Sequence, residues 1–397
     1  MPLGLYLSVP FCRTKCTYCN FASDVFSRAV FDRYIDRVCA DIHTTPESAG
    51  QVSARLECEA DSVYLGGGTP TLLDSHQLDR LFVTVRQKFT LPPETEITVE
   101  CAPGTLTPAV VETLLRCGVN RVSLGVQSFV DGEAASVGRL HKRETVLDDI
   151  LRLRRAGISN LNVDLIAGLP HQTRESWQES LEAVIALGVP HVSVYMLEVD
   201  EDSRLGREVI AGGAKYHAHF VPDEALTAEL YETACERLNG AGITQYEISN
   251  FARPGYESRH NLKYWSRQPY LGFGVDAHSM LPSASNELEA VRFSTADALE
   301  NYIAGAPLQR TSVSRQAAIE ETFFLGLRLT RGVDLEWVRR KFGAGVITAL
   351  RPVMEELASG GFLEREGDWV RLTQRGRLVS NEVFERFLTC GEAAVVR

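Results

Sequence analysis

Cys12, Cys16 and Cys19, separated by three and then two residues, lie on the short polar stretch Val9-Pro10-Phe11-Cys12-Arg13-Thr14-Lys15-Cys16-Thr17-Tyr18-Cys19-Asn20-Phe21. Cysteine thiolates are the ligands of iron–sulfur cubanes, and three of them leave one iron open to a small molecule. A [4Fe-4S] cluster with an open corner is therefore the first expectation. A structural zinc site takes four ligands, commonly in C-x2-C pairs, and the stretch offers no fourth cysteine or histidine. Zinc and disulfides remain as lesser alternatives. The lone cysteines Cys39, Cys58, Cys117, Cys235 and Cys390 read as small core residues, because unpaired cysteine is among the most buried types.

A cluster loop needs a scaffold. Leu5 to Val9 reads as a strand ahead of the cysteines, with a helix from about Phe26 to Thr44 after them. Further strands are expected at Ser62–Leu65, Glu96–Glu100, Arg121–Val126, Leu161–Ile166 and His191–Met196, with a helix near Ser75–Lys88 and helical stretches after most strands. About six strand–helix units of this kind imply an α/β fold with parallel strands, closed as a partial or complete (β/α) barrel. Active sites of such barrels gather at the carboxyl ends of the strands. Polar and glycine-rich residues fall at those ends: Gly66-Gly67-Gly68-Thr69 after the second strand, Glu100 closing the third, Gln127-Ser128 after the fourth and Asp164 within the fifth. Glycines there let backbone approach a ligand, Glu100 could accept from an ammonium, and Gln127 and Asp164 could bond ribose hydroxyls. Each is also compatible with an ordinary structural polar group.

The chain has 397 residues, 44% hydrophobic, nine cysteines and a net charge of -11. This composition suits a soluble protein with one large domain and a smaller one. The start lacks the basic region and apolar core of a signal peptide, and no later run is long enough to span a bilayer. A cytoplasmic location is expected, where thiols stay reduced. The acidic balance argues against a nucleic-acid partner bound through a broad basic surface.

The cysteine loop, Gly-Gly-Gly-Thr-Pro after the second strand, Gly125-Val126-Gln127-Ser128-Phe129 and Asp164-Leu165-Ile166-Ala167-Gly168-Leu169-Pro170 together resemble the radical S-adenosylmethionine (SAM) superfamily. More narrowly, they resemble its branch related to oxygen-independent coproporphyrinogen III oxidase. The resemblance spans nearly the whole chain. It implies a [4Fe-4S] cluster on Cys12, Cys16 and Cys19, with SAM chelating the unique iron and an electron from the reduced cluster cleaving the sulfonium to a 5′-deoxyadenosyl radical. By motif matching, Gly67, Gly68 and Thr69 would line the methionine end, Glu100 and Arg139 its charged groups, and Gln127 and Asp164 the ribose. Tyr6, Phe21 and Ile166 would flank the cluster and adenine. A flavodoxin or ferredoxin would serve as electron donor.

Within that branch two functions compete. The decarboxylating oxidase has a further cysteine two positions after the third and a long segment ahead of the cluster loop. Here position 21 is Phe, and eleven residues precede Cys12. The chain also carries His260-Asn261-Leu262-Lys263-Tyr264-Trp265, which resembles the H-N-x-x-Y-W box of the HemW-type haem chaperones. The expected function is accordingly a haem chaperone delivering haem to acceptor haemoproteins, membrane respiratory proteins among them, with the porphyrinogen oxidase as alternative. His260 could supply an axial imidazole, with Tyr264 and Trp265 offering flat faces to a macrocycle. The box could instead shape the SAM pocket.

Three regions are expected: a radical SAM core over 1–240, an extension with the box over 241–309 and a carboxy-terminal helical unit from about Arg310 to 397. Pro269–Ser279 reads as a glycine-bearing loop near the mouth, and Leu281–Asn286 as a surface turn or linker. Helices are expected over Ser314–Leu329, Leu335–Phe342 and Val346–Ser359, a hairpin over Phe362–Arg365 and Trp369–Leu372, and a closing helix over Gln374–Leu388. That order resembles a winged helix. Arginines 365, 371, 375 and 377 read as a solvated face.

Overall fold

The computed structural model describes residues 1–388. Six strands in the first half lie side by side in chain order: β1 (Leu3–Val9), β2 (Ala60–Gly67), β3 (Glu96–Cys101), β4 (Arg121–Gln127), β5 (Asn160–Ala167) and β6 (His191–Met196). Every neighbouring pair among them is parallel, as strand–helix alternation requires. The helices between them, among them Phe31–His43, Ser75–Lys88, Arg143–Arg155 and Arg174–Leu187, cover the outer face. Their apolar residues join Leu5, Val63, Val99, Leu124, Val163 and Val194 in one core.

Side chains alternate across a strand, so the inner face carries the other residues, and here they are polar. Asn162 donates to Ser123 at 2.7 Å and to Ser193 at 3.0 Å, tying three neighbouring strands together inside the curve. The sheet stays open. β9 (Tyr270–Phe273) adds a seventh parallel strand beside β1, while β8 (Asn250–Ala252), with β7 (Thr244–Gln245) beyond it, flanks β6 antiparallel. Past β9 follow β10 (His278–Pro282), β11 (Ala290–Ser294) and β12 (Gln309–Val313), all antiparallel.

Several local expectations need correcting. The first helix starts at Phe31, after a short 3-10 turn at Arg28–Val30 capped by Ser27. Leu281 and Pro282 end β10 rather than a turn, and Leu281 is fully buried. Cys58 is exposed and Cys39 only half-buried, whereas Cys117 and Cys235 are buried as expected. Cys390 lies outside the described residues.

In the carboxy-terminal region the helices Arg315–Gly326, Leu335–Phe342 and Ala344–Ser359 precede β14 (Leu363–Glu366) and β15 (Trp369–Leu372), with β13 (Val333–Asp334) as third strand. β12 carries the large sheet across position 310. The expected closing helix is two, Gln374–Leu378 and Ser380–Leu388. Arg371 is paired with Glu364 and Glu366. The core of this region includes Met280 of β10, Ala290 of β11 and Ile248 between β7 and β8, so it packs on the sheet. No helix among the described residues is long and apolar enough to cross a membrane.

Candidate functional site

β1 ends at Val9, and the cysteine loop rises from its carboxyl end. Backbone bonds pin the loop: the Cys12 N–H donates to Asp24 at 3.0 Å, the Thr17 N–H to Val137 at 3.1 Å, and the Leu205 N–H to Thr17 at 2.8 Å. Cys16 is buried, and Cys12 and Cys19 are partly open. Burial pushes the Cys12 and Cys19 thiols above their ordinary range, and each is raised further by a neighbouring cysteine. A thiolate there needs a compensating cation, which iron supplies. Arg139 donates to Cys16 Sγ at 3.5 Å and also bonds the Gly125 carbonyl, while its buried Nε has no partner.

The glycines after β2 meet this loop. The Gly68 N–H donates to Val9 at 2.8 Å and the Thr69 N–H to Phe11 at 2.8 Å. A Cβ on Gly68 would stand 2.7 Å from the Phe11 carbonyl oxygen and 3.0 Å from Cys12 Sγ. Gly67 has φ +104°, and its N–H donates to Glu100 Oε2 at 3.1 Å. Tyr64 donates to Glu100 Oε1 at 2.8 Å. Burial lifts Glu100 to about 7, with nearby Asp164 adding to the rise.

Asp164 accepts from Ser123 at 3.2 Å and from Asn162 at 2.7 Å. Burial pushes its carboxyl up against those donors. Gln127 is buried with φ +72°, at an irregularity in the β4–β5 register. Such a conformation costs a non-glycine residue energy and turns its backbone out of the ladder. Ile166 is buried beside Val137, Leu169, Leu205 and Ala218, with Tyr18 packed on that group. Tyr6 and Phe21 line one cleft with Ser8, Ser23, Gly67 and Asp276. Phe21 is 64% exposed at its edge. The first-half residues expected in the site thus converge at the carboxyl ends of the strands.

The box lies elsewhere. Its helix, Arg259–Trp265, is capped by Ser258, and Glu96 at the start of β3 accepts the N–H groups of Arg259 and His260 at 3.2 Å each. This is the amino end of the strands. His260 is 1% exposed, with Nδ1 bonded to Ser62 at 3.0 Å and Nε2 to Tyr264 at 2.8 Å. Burial lowers its pKa to about 3, so the ring is neutral. With both nitrogens engaged it has none to offer an iron, which departs from its expected role as axial ligand. Trp265 stacks under the Arg328 guanidinium at 4.5 Å.

Tyr64 was not expected in the site. It stacks on His260 at 5.2 Å and bonds Glu100, so it joins the box to the mouth. The signal was available, since Ser62, Tyr64 and Gly66 share one face of β2 by simple alternation.

The chemistry of the donor set fits the cofactors. Three thiols on a pinned loop, with a glycine leaving room beside Cys12, suit a cubane with one open iron. Two carboxylates and backbone brought close by glycine suit a ligand bearing an ammonium and ribose hydroxyls. Among the described residues no group of three or more His, Cys, Asp or Glu closes on a single ion.

Comparison with known proteins agrees. The radical SAM superfamily model matches residues 6–184 and the HemN C-terminal domain model residues 313–379. The chain is 34% identical over 392 residues to the haem chaperone HemW of Bacillus subtilis (strain 168), covering 96% of this chain and 98% of the relative. It is 32% identical over 391 residues to HemW of Lactococcus lactis, covering 98% and 97%. The solved structure of coproporphyrinogen III oxidase (HemN) from Escherichia coli shares the fold, with a TM-score of 0.82 at 24% identity over 98% of this chain and 90% of that one.

Proposed function

The chain belongs to the radical SAM superfamily and, within it, to the family of the HemW haem chaperones, and on that premise we propose that it binds haem, a [4Fe-4S] cluster and SAM and passes the haem to acceptor haemoproteins. Similarity to the named haem chaperones along almost the entire chain is the observation that carries this reading. Phe21 supports it, standing where the oxidase branch has a further cysteine.

In this reading Cys12, Cys16 and Cys19 hold the cluster, and Arg139 balances the charge of Cys16. Gly67, Gly68 and Thr69 line the methionine end of SAM, with the Glu100 carboxylate facing its ammonium. Asp164 and Gln127 take the ribose hydroxyls, and Tyr6, Phe21 and Ile166 bound the cluster and adenine. When bound, the reduced cluster supplies one-electron chemistry to the sulfonium. The protein's own work is to hold Glu100 ionised against a ligand cation: the Tyr64 hydroxyl and the Gly67 N–H already donate to it, and an ammonium offsets the burial that otherwise favours its neutral form. We place the core at 1–240, the box extension through β12 at 241–313, and the carboxy-terminal unit from 314 onward. Acceptors that include membrane respiratory proteins, a flavodoxin or ferredoxin donor and a cytoplasmic location complete the proposal.

The oxidase reading rests on likeness to the HemN structure, which at this identity speaks for fold alone. The two separate on incubating reduced, cluster-loaded protein with SAM and coproporphyrinogen III. A chaperone leaves the porphyrinogen intact and binds added haem. Carbon dioxide release with vinyl formation would reverse the assignment.

A further inference from the structure

Three exposed histidines gather on segments that pack against the cysteine loop, apart from the residues proposed above for the cluster and SAM. His171 follows β5, and His217 and His219 lie on the 3-10 segment Lys215–Phe220. His171 Nε2 and His217 Nδ1 are 3.0 Å apart and share a hydrogen bond. The Phe220 ring packs on His171 at 4.1 Å and on His219 at 4.2 Å, and the His171 N–H donates to the Phe220 carbonyl at 2.9 Å. Tyr216 lies under the Arg204 guanidinium at 5.7 Å. Between the His171 and His219 imidazoles Phe220 is still 48% exposed.

The ledge is fixed to the cluster loop. Ala218 is buried with Ile166 and Leu205 in the group that Tyr18 joins. His171, Tyr216 and His217 all hold positive φ, at +68°, +56° and +60°. Side chains rarely keep that conformation unless their surroundings impose it, and such residues concentrate at ligand clamps.

A metal-bound histidine ordinarily gives its second ring nitrogen to a hydrogen-bond partner that fixes its orientation. His217 has that arrangement, with Nδ1 engaged by His171 and no hydrogen bond to Nε2 among the described residues. The three rings do not close on one bare ion. An iron already held in a macrocycle asks only for axial ligands, and its flat ring asks for apolar surface beside them, here the exposed parts of Tyr216 and Phe220, and for a cation near its carboxylates, here Arg204, which also donates to the Lys15 carbonyl.

We propose that this ledge takes haem, with His217 Nε2 as axial ligand and His171 as its positioning partner. The proposal rests on the haem-binding reading and names the site for it. It is tested by titrating the full-length, cluster-loaded protein with haem and recording the Soret band. His217→Ala should lose the imidazole-ligated spectrum and weaken binding about tenfold or more, and His171→Ala should weaken it less. His217→Met should keep a protein–iron bond with a shifted band. His260→Ala should keep the wild-type spectrum. Unchanged cluster content and circular dichroism show that the variants fold. A His217→Ala/His219→Ala protein that titrates like wild type overturns the site while leaving the chaperone reading intact. Wild type that gives no haem band overturns the reading itself.

Discussion

Cys12, Cys16 and Cys19 stood out in the sequence as a proposed cluster set because thiolate chemistry needs that residue type whatever the fold. What their neighbours do was less legible, since it depends on clearances of a few tenths of an ångström. Gly68 is the clearest case, because its Cβ would meet the Phe11 carbonyl oxygen at 2.7 Å and Cys12 Sγ at 3.0 Å. Gly68→Ala should therefore fold but fail to assemble the cluster, seen as loss of brown colour and of iron content after anaerobic reconstitution. Glu100 yields a pH prediction. Its folded pKa, about 7, lies above the ordinary value of 4.5, so the folded protein without ligand binds more protons than the unfolded chain between those two values. Its contribution to stability is complete below pH 4.5 and is lost as pH rises through 7, up to about 3 kcal/mol before solvent screening. Glu100→Gln should flatten that part of the urea midpoint against pH, and should weaken SAM binding in equilibrium dialysis.

At the scale of elements, strand–helix alternation revealed β1 to β6, because strands covered by helices must carry apolar residues on the outward face at a period of two. β9 escaped notice, since Tyr270–Phe273 is four residues long and glycine-bearing, with too little periodicity to read. The box escaped in a different way. Its residue types suggest a ligand site, but the fold places its helix at the amino end of the strands, against Ser62 and Glu96. It works there as a plug whose ring stack runs from His260 to Tyr64 and on to Glu100. His260→Ala leaves the Ser62 and Tyr264 hydroxyls without their partner and opens a void, which should cost about 2–4 kcal/mol in denaturant unfolding. It should also weaken SAM binding through Tyr64. Tyr64→Phe, which keeps the ring and removes only the hydroxyl, should weaken SAM binding while sparing most of the stability. Loss of stability without any change in SAM affinity in both variants would reduce the helix to a structural plug.

At the scale of the whole molecule, an open, mostly parallel sheet with a polar inner face holds the cysteine loop at one end and the plug at the other. The carboxy-terminal region packs on the sheet's antiparallel extension. The order of its helices and hairpin was readable from capping and turn residues, but Val379, which separates the helix ending at Leu378 from the one starting at Ser380, leaves no such mark. The histidine ledge could not be read from sequence at all, because His171 and His217 lie 46 residues apart and meet only through the fold. Assembly of the cluster should itself depend on pH. The Cys12 and Cys19 thiols are raised by burial, so iron must displace their protons, and reconstitution should become less complete as pH falls. Every role proposed for this chain presupposes a cubane on three thiolates with its last iron open. The most direct test is electron paramagnetic resonance of the anaerobically reconstituted, reduced protein with and without SAM. We predict a [4Fe-4S] signal that SAM changes and that a Cys12→Ala/Cys16→Ala/Cys19→Ala variant lacks; a signal indifferent to SAM, or one that survives in that variant, would contradict it.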